Sequence, residues 1–232
     1  MKGSVNLEGC PYISNVYFGG NELVVLNLRD CENLVFVDIK PGYGSNSNGT
    51  VNTLDVSGCK KLEKIHLYNV AGLECVRAQD CIELTSFSDP GDSSLVVLDL
   101  SGCTKLETVY VNDNKLTTLK LKGCEKLYDL NCENNKLTTL DLSTRTSLIC
   151  VNCFNNHIRS AVQPYMKDLR KNNNCSFQMD WLYKYSSSST WDEVPEGWNE
   201  VGKDLYAKEN EYGWYFQGEP ETNHHSNPYS WK

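Results

Sequence analysis

Residues 116–158 read LTTLKLKGCEKLYDLNCENNKLTTLDLSTRTSLICVNCFNNHI and contain one pattern twice. Leu116, Leu137 and Ile158 are spaced by 21 residues, and Cys132 returns at the same interval as Cys153. A repeat of about 20 to 29 residues is typical of solenoids, in which each repeat forms one coil and buries its apolar side chains against the neighbouring coils. The pattern covers about residues 5–158 and predicts a solenoid over residues 1–158, about two thirds of the chain.

Each repeat contains two short stretches in which apolar and polar residues alternate. In the repeat that starts at Leu116 they are residues 119–121 and 130–132, which read LKL and LNC. Such alternation predicts a short strand, because successive side chains of a strand point to opposite faces. We therefore expect two strands in each coil and two short parallel β-sheets on opposite flanks of a flattened solenoid of about seven coils.

Most of the eleven cysteines occupy a repeated position. One per coil follows the first strand, and these are Cys10, Cys31, Cys59, Cys81, Cys103 and Cys124. Equivalent side chains of neighbouring coils lie about 4.8 Å apart, and free cysteine packs as a small hydrophobe. We interpret these residues as a ladder of buried, reduced thiols. Disulfides are the alternative, as is a redox or zinc role for the C-x-x-C formed by Cys150 and Cys153.

Asparagines recur at the turn that follows the second strand. They are Asn21, Asn114, Asn135 and Asn156. A buried turn must satisfy its backbone N–H and C=O groups, and an asparagine side chain supplies both donors and an acceptor. We expect these side chains to point inward and to bond the backbone of the turn.

Three segments resemble the leucine-rich-repeat family, in particular its short bacterial type with a nested half-length period. They are LVVLDLSGCTKL at 95–106, LYDLNCENNKL at 127–137 and LTTLDLS at 137–143. The resemblance implies a right-handed coil and an exported or surface-attached bacterial protein that binds other macromolecules. The chain departs from the family pattern at the insertion 40–49, in an irregular fourth coil, and at Arg145, which replaces the cysteine of the seventh coil.

The compartment is inferred from the resemblance and from the place where the repeat begins. The pattern is already present at Leu7, whereas a solenoid usually has an atypical cap before its first full coil. We therefore expect residues upstream of Met1, including an export signal, and a location at the cell surface or in the periplasm. A cytoplasmic protein that begins abruptly is the alternative.

Charge and motif content disfavour several classes of function. The net charge is −8 and no basic stripe exists to neutralise phosphates, so we expect no nucleic-acid partner. The sequence has no run of about 18 apolar residues that would span a bilayer. It also contains no Gly-rich phosphate loop, no G-x-S-x-G and no H-E-x-x-H. We predict a protein that is not an enzyme and that needs no cofactor or metal.

The outward residues of the two predicted sheets differ in chemistry. On the first sheet they alternate in sign, and they are Asp55, Arg77, Asp99, Lys120 and Asp141. We interpret them as a solvated scaffold face, with each exposed pair contributing about 0–1 kcal/mol. On the second sheet they show no repeated chemistry, and they are Tyr17, Asp38, His66, Ser88, Tyr110, Asn131 and Asn152. Exposed aromatic residues with polar neighbours favour a binding surface, and ordinary surface variation is the alternative.

The predicted ligand-binding residues come from this second row and its flanks. They are Tyr17, Asp38, His66, Tyr68, Tyr110, Asn131, Asn152 and Phe154. Two departures from the repeat, residues 40–49 and 88–94, both follow a strand of the second sheet, and we expect them to project from one edge. The function predicted is recognition of a protein partner by this face and its loop edge.

The repeat ends after Ile158 and the composition changes. Residues 159–185 are predicted to cap the solenoid, with an amphipathic helix at 160–174 and a strand at 175–185, where aromatic and other apolar residues alternate with polar ones. Residues 186–232 are predicted to form a small β-rich appendage that is acidic and rich in Trp and Tyr.

The C-terminal appendage supports an alternative function. We expect a hairpin between residues 205–208 and 214–217. The alternative is carbohydrate or cell-wall binding by aromatic side chains, namely Trp191, Trp198, Trp214 and Tyr215. A structural spacer that binds nothing is the third hypothesis.

Overall fold

The computed structural model of the chain describes residues 3–19, 23–40, 51–67, 70, 72–89, 94–142, 147–153 and 156–157, together with the backbone of residues 175–178 and 214–217. Strands and turns make up these residues, and no helix occurs among them. The helix predicted at 160–174 lies outside the described residues. Within the described part, no helix is long and apolar enough to cross a bilayer.

The strands form two parallel sheets, as the alternation predicts. The first sheet contains β1 (Gly3–Asn6), β3 (Leu23–Asn27), β5 (Val51–Asp55), β7 (Cys75–Arg77), β9 (Val97–Asp99) and β11 (Thr118–Lys120). The second sheet contains β2 (Asn15–Gly19), β4 (Phe36–Lys40), β6 (Lys64–Leu67), β8 (Ser86–Ser88), β10 (Thr108–Tyr110), β12 (Asp129–Asn131), β13 (Cys150–Asn152), β14 (Cys175–Gln178) and β15 (Trp214–Gln217). The chain alternates between the sheets up to β12, so each coil adds one strand to each, and the architecture is a β-solenoid.

The core lies between the two sheets and is built from inward-pointing strand residues. The first sheet contributes Leu26, Leu54, Val76 and Leu98 to one buried column. The second sheet contributes Val37, Ile65, Phe87, Val109, Leu130 and Val151. Each strand buries one face and turns the other outward, and this arrangement explains why apolar and polar residues alternate along it.

The turn after the first strand carries a fully buried cysteine in five successive coils. These are Cys31, Cys59, Cys81, Cys103 and Cys124. Each thiol donates to a backbone carbonyl of the preceding coil, with sulfur–oxygen distances of 3.0–3.2 Å. Burial raises the pKa of the Cys59 thiol to about 12, which suppresses the reactive thiolate. Cys31, Cys59, Cys81 and Cys103 are free thiols.

The turn after the second strand carries a buried asparagine in the later coils, at Asn114, Asn135 and Asn156. Asn135 illustrates their bonding. Its Oδ1 accepts from Leu116 N at 2.8 Å, and its Nδ2 donates to Val111 O and Cys132 O at 2.8 and 3.0 Å. One amide thus joins two neighbouring coils. The predicted inward orientation is confirmed at these three positions, while Asn21 lies outside the described residues.

The residue before the buried cysteine has a left-handed backbone and is glycine or aspartate. Asp30 and Asp80 have φ of 54° and 59°, and the next coils have Gly58 and Gly102 with φ of 77° and 80°. A Cβ on either glycine would overlap the carboxylate of the aspartate one coil earlier. Glycine at these two turns therefore leaves room for the aspartate side chain of the preceding coil.

The C-terminal end of the solenoid is less regular than its earlier coils. Among the described residues of the seventh coil only β13 forms a strand, although Leu137, Leu140 and Leu142 are buried. Beyond it, β14 pairs in parallel with β13, and β15 pairs in parallel with β14. The strand predicted at 175–185 is confirmed over residues 175–178. Residues 205–208, the predicted hairpin partner of 214–217, lie outside the described residues.

Candidate ligand-binding face

Each sheet has an outer face on which side chains stack in register. Face A is the outer face of the first sheet, with a column formed by Asn6, Asn27, Asp55, Arg77, Asp99 and Lys120. Face B is the outer face of the second sheet, with a column formed by Tyr17, Asp38, His66, Ser88, Tyr110, Asn131 and Asn152. The strand register thus brings six of the eight predicted ligand-binding residues together on one face.

On face A, side chains of the column bond to their own backbone. The side-chain oxygens of Asn6, Asn27, Asp55 and Asp99 each accept from the N–H two residues further on, over 3.0–3.1 Å. Such bonds stabilise the turn that leaves the strand. The same bond occurs at four of the six positions of the column, and it stabilises the solenoid itself.

Asp99 is enclosed by its neighbours on face A, with 4% of its surface exposed. Its Oδ2 accepts from Lys120 Nζ at 3.0 Å and from Gln79 Nε2 at 2.9 Å, one coil away on either side. Burial alone raises the pKa of Asp99, but hydrogen bonds from Ser101 and Lys120 outweigh it and lower the pKa from 3.8. The prediction of a solvated row of charges is therefore wrong at Asp99, because side chains of adjacent coils cover it.

The N-terminal half of face B contains an aromatic cluster around Asp38. The ring of Phe36 lies 5.7 Å from that of Tyr17 and 4.9 Å from that of His66, which it meets edge to face. Asp38 is 6% exposed, and its Oδ2 pairs with Lys40 Nζ at 2.7 Å. Its Oδ1 is buried and accepts no hydrogen bond within the described part of the chain. The sequence predicts Asp38 at the surface, and the structure buries it among side chains of neighbouring strands.

The C-terminal half of face B is polar and acidic. Tyr110 remains 36% exposed, and its hydroxyl donates to Asp129 Oδ2 on the next strand at 2.5 Å. This hydrogen bond is the main cause that raises the pKa of Tyr110 to about 12. One coil further, Asn152 Nδ2 donates to Glu133 Oε2 at 2.6 Å. The phenol is therefore held in one orientation with part of its ring open to solvent.

Lys40 and Asp129 of face B bond to predicted ligand-binding residues but were not predicted themselves. Lys40 lies two residues after Asp38 on β4, and Asp129 lies two residues before Asn131 on β12. Positions i and i+2 of a strand share one face. The two-residue period of a strand would therefore have added Lys40 and Asp129 to the predicted ligand-binding residues.

Several predicted residues fall outside the part of the chain that the structure describes. These are Tyr68 and Phe154 of the predicted face, and Trp191 and Trp198 of the alternative glycan site. Trp214 and Tyr215 belong to β15, at the end of the second sheet. Residues 41–50 and 90–93, which make up most of the two predicted edge loops, are likewise outside the description and follow β4 and β8.

The chemistry that face B offers is recognition through rings and acceptors. No group of three or more side chains that could hold a metal ion occurs within the described ranges. The described side chains of face B include phenols, an imidazole, amides and carboxylates. Such groups bind hydrogen-bond donors, cations and apolar surfaces.

Comparison with known proteins adds no relative from which a function could be transferred. The chain matches no family model and no curated protein sequence. The difference between face A and face B is therefore the basis for assigning a function.

Proposed function

We propose that the chain is a non-catalytic module of the short bacterial leucine-rich-repeat type, which binds a protein partner through face B and its loop edge. The contrast between the outer faces carries this proposal. Face A uses its carboxylates for its own turns, whereas face B leaves Tyr17 69% and Tyr110 36% exposed. Folding does not require exposed rings, and protein interfaces are enriched in them.

The way in which the tyrosines are held also supports recognition. A tyrosine has few rotatable bonds, so it supplies a large contact area at a small cost in conformational entropy. Tyr110 is further restrained by its hydrogen bond to Asp129, and Tyr17 by its contact with Phe36. Restraint before binding reduces the entropy that is lost on binding.

The loop edge extends the proposed surface. Residues 41–50 follow β4 and residues 90–93 follow β8, so both insertions leave the same sheet at the carboxyl ends of its strands. Insertions collected on one side of a repeat array often belong to its binding side. Loops also tolerate insertion for no functional reason, so this support is secondary to that of the exposed rings.

The family resemblance supports further parts of the proposal. We propose in addition that the protein is located at the cell surface or in the periplasm, and that residues 160–174 form a helical cap and residues 186–232 an appendage. We also propose that the cysteines are reduced and serve packing. Thiol titration of the native and the denatured chain tests the last point, because buried thiols such as those of Cys31, Cys59, Cys81 and Cys103 would react mainly after unfolding. Fractionation of cells tests the compartment.

Panning of a peptide-display library on the full chain tests protein binding. The selected peptides are then measured on a face B variant, Tyr17→Ala with Tyr110→Ala, and on a matched face A variant, Thr53→Ala with Thr118→Ala. We expect the face B changes to weaken most peptides by about tenfold or more and the face A changes to alter affinity by less than about twofold. Equal losses on both faces, or a loss only on face A, would show the assignment to be wrong.

Carbohydrate binding by the C-terminal aromatic residues is the second candidate function. The favouring observation is that Trp214 and Tyr215 belong to a strand that extends the second sheet. A glycan array probed with the full chain and with Trp214→Ala separates the two candidates. A glycan signal that disappears in the variant would support sugar binding, and protein binding by face B predicts no such signal.

A further inference from the structure

Four side chains flank Asp38 on face B. Tyr17 and His66 flank it at the same register on the two neighbouring strands. Phe36 and Lys40 flank it along its own strand, two residues before and two residues after. One carboxylate is thus surrounded by three rings and one ammonium group.

One oxygen of this carboxylate accepts nothing from the described residues. The Asp38 side chain is 7% exposed, and Oδ2 pairs with Lys40 while Oδ1 is buried without a hydrogen-bond donor. A buried charged acceptor without a donor is costly to the folded chain. Buried polar groups are nearly always hydrogen-bonded, so an exception of this kind calls for an explanation such as a ligand.

We propose that Asp38 and its aromatic neighbours bind a guanidinium group, presented as an arginine side chain by the protein partner. The inference rests on the proposed use of face B and names the chemistry of the partner there. A guanidinium N–H donates to Oδ1, and the planar group stacks against the ring of Tyr17 or Phe36. Lys40 continues to occupy Oδ2.

A cation fits this site better than a neutral donor or an anion. The carboxylate and the negative faces of the aromatic rings both attract positive charge. A sugar hydroxyl would satisfy Oδ1 but carries no charge for the carboxylate and the ring faces to attract. Arginine fits better than lysine because its planar group can stack on a ring and donate to an oxygen at the same time.

The neighbouring ring of Tyr17 can make room for a ligand. Tyr17 is 69% exposed, so a rotation of its side chain opens a path to Oδ1. Exposed side chains change rotamer within nanoseconds. The ammonium of Lys40 already offsets part of the negative charge of this carboxylate, so its removal should strengthen the attraction for the incoming group, and this gives the site a distinctive test.

The test uses the isotope-labelled full chain and blocked tripeptides, observed by NMR titration. The probes are acetyl-Gly-Arg-Gly-amide and its citrulline counterpart, which has the same shape without the charge. We expect the arginine peptide to shift signals of residues 17, 36, 38 and 66 and to bind about tenfold more tightly than the citrulline peptide. Asp38→Asn is expected to remove this difference.

Matched variants separate binding from folding. Asp55→Asn, a half-buried carboxylate on face A, is expected to leave arginine binding unchanged, and Lys40→Gln is expected to strengthen it. Asp38→Asn is expected to melt no lower than the unaltered chain, because it removes a poorly satisfied charge. If that variant does not fold, Tyr17→Leu replaces it, with an expected loss of about threefold from the missing ring.

Three results would overturn the inference. They are equal binding of the citrulline peptide, full binding by Asp38→Asn, and weaker binding by Lys40→Gln. Binding of an N-acetylglucosamine trimer at the same residues, without the arginine peptide, would also overturn it and would point to carbohydrate. Failure here is distinguishable from failure of the proposed function. Library peptides that need Tyr110 but not Asp38 would leave face B as the binding face.

Discussion

Face A and face B share one backbone geometry but use their side chains differently. Both are parallel sheets with in-register columns, built by the same coils. On face A, Asp55 and Asp99 accept from their own turns, and Asp99 also accepts from Lys120. On face B, Asp38 has a buried oxygen that accepts from no described residue, and Tyr17 projects into solvent.

This difference separates stabilising side chains from side chains that folding leaves unused. A column that repeats its hydrogen bonds in four of its six coils contributes to the solenoid, and substitutions in it should lower stability. A column without repeated bonds contributes little to stability, so its exposed rings and buried acceptor are available for a partner. The comparison therefore predicts opposite patterns of stability and binding for the two faces.

The largest effect on stability is expected for Asp99→Ala on face A. It removes the acceptor for the Lys120, Gln79 and Ser101 donors at a site that is 4% exposed. We expect the free energy of unfolding in urea to fall by about 1–3 kcal/mol. The matched variant Asp55→Ala loses one bond to the Ser57 N–H and should cost less. Equal costs for both would contradict the importance of the coil-to-coil bonds.

The stabilisation by Asp99 should depend on pH. The pKa of Asp99 is lowered in the folded chain from 3.8, so its contribution is complete above 3.8 and is lost as the pH falls through the lower folded value. The difference in unfolding free energy between the unaltered chain and Asp99→Asn should therefore be largest near pH 7 and should shrink below about pH 4. Denaturation curves at several pH values measure it, and a difference that grows on acidification would contradict the account.

On face B, Asp129→Asn should lower the pKa of Tyr110 from about 12 towards 10.0, its ordinary value, because the charged acceptor is lost. Because folding raises the pKa of Tyr110, its hydrogen bond to Asp129 stabilises the folded chain below pH 10. This stabilisation is lost as the pH rises through about 12. NMR titration of carbon-labelled tyrosine measures this shift. Asp113→Asn is the control, since Asp113 bonds Asn112 and Asn134, and it should leave Tyr110 unchanged.

The smallest effects on stability are expected at an exposed position of face B and a half-buried position of face A. Tyr17→Ala on face B and Thr53→Ala on face A should each change the free energy of unfolding by less than about 0.5 kcal/mol. They should differ in binding, where only Tyr17→Ala weakens the selected peptides. A marked loss of stability in Tyr17→Ala would mean that its ring serves the fold.

Much of the solenoid was predictable because the pattern of apolar and polar residues repeats along the sequence. Alternation predicted the two parallel sheets, and the repeat interval predicted that Tyr17, Asp38 and His66 share one register, as they do. The inward asparagines Asn114 and Asn135 were predictable from the needs of a buried turn. These features depend on local sequence and on the stacking of equivalent positions.

Other features depend on which side chains meet across coils, and a single repeat does not contain that information. Asp38 and Asp99 occupy outward positions but are buried by neighbours from adjacent strands. The bond between Tyr110 and Asp129 joins non-equivalent positions of two strands. Asp89 occupies an inward position that is apolar in other coils and is 2% exposed, and the repeat pattern predicted no charge there.

Cross-saturation NMR on the full chain, with a library-selected peptide bound, tests the central claim most directly. It identifies the amides that lie next to the peptide without changing any residue. We predict loss of signal along β4, β6, β10 and β12, and none along β3, β5 and β9. Signal loss confined to β3, β5 and β9 would show that face A is the binding face and would contradict the account.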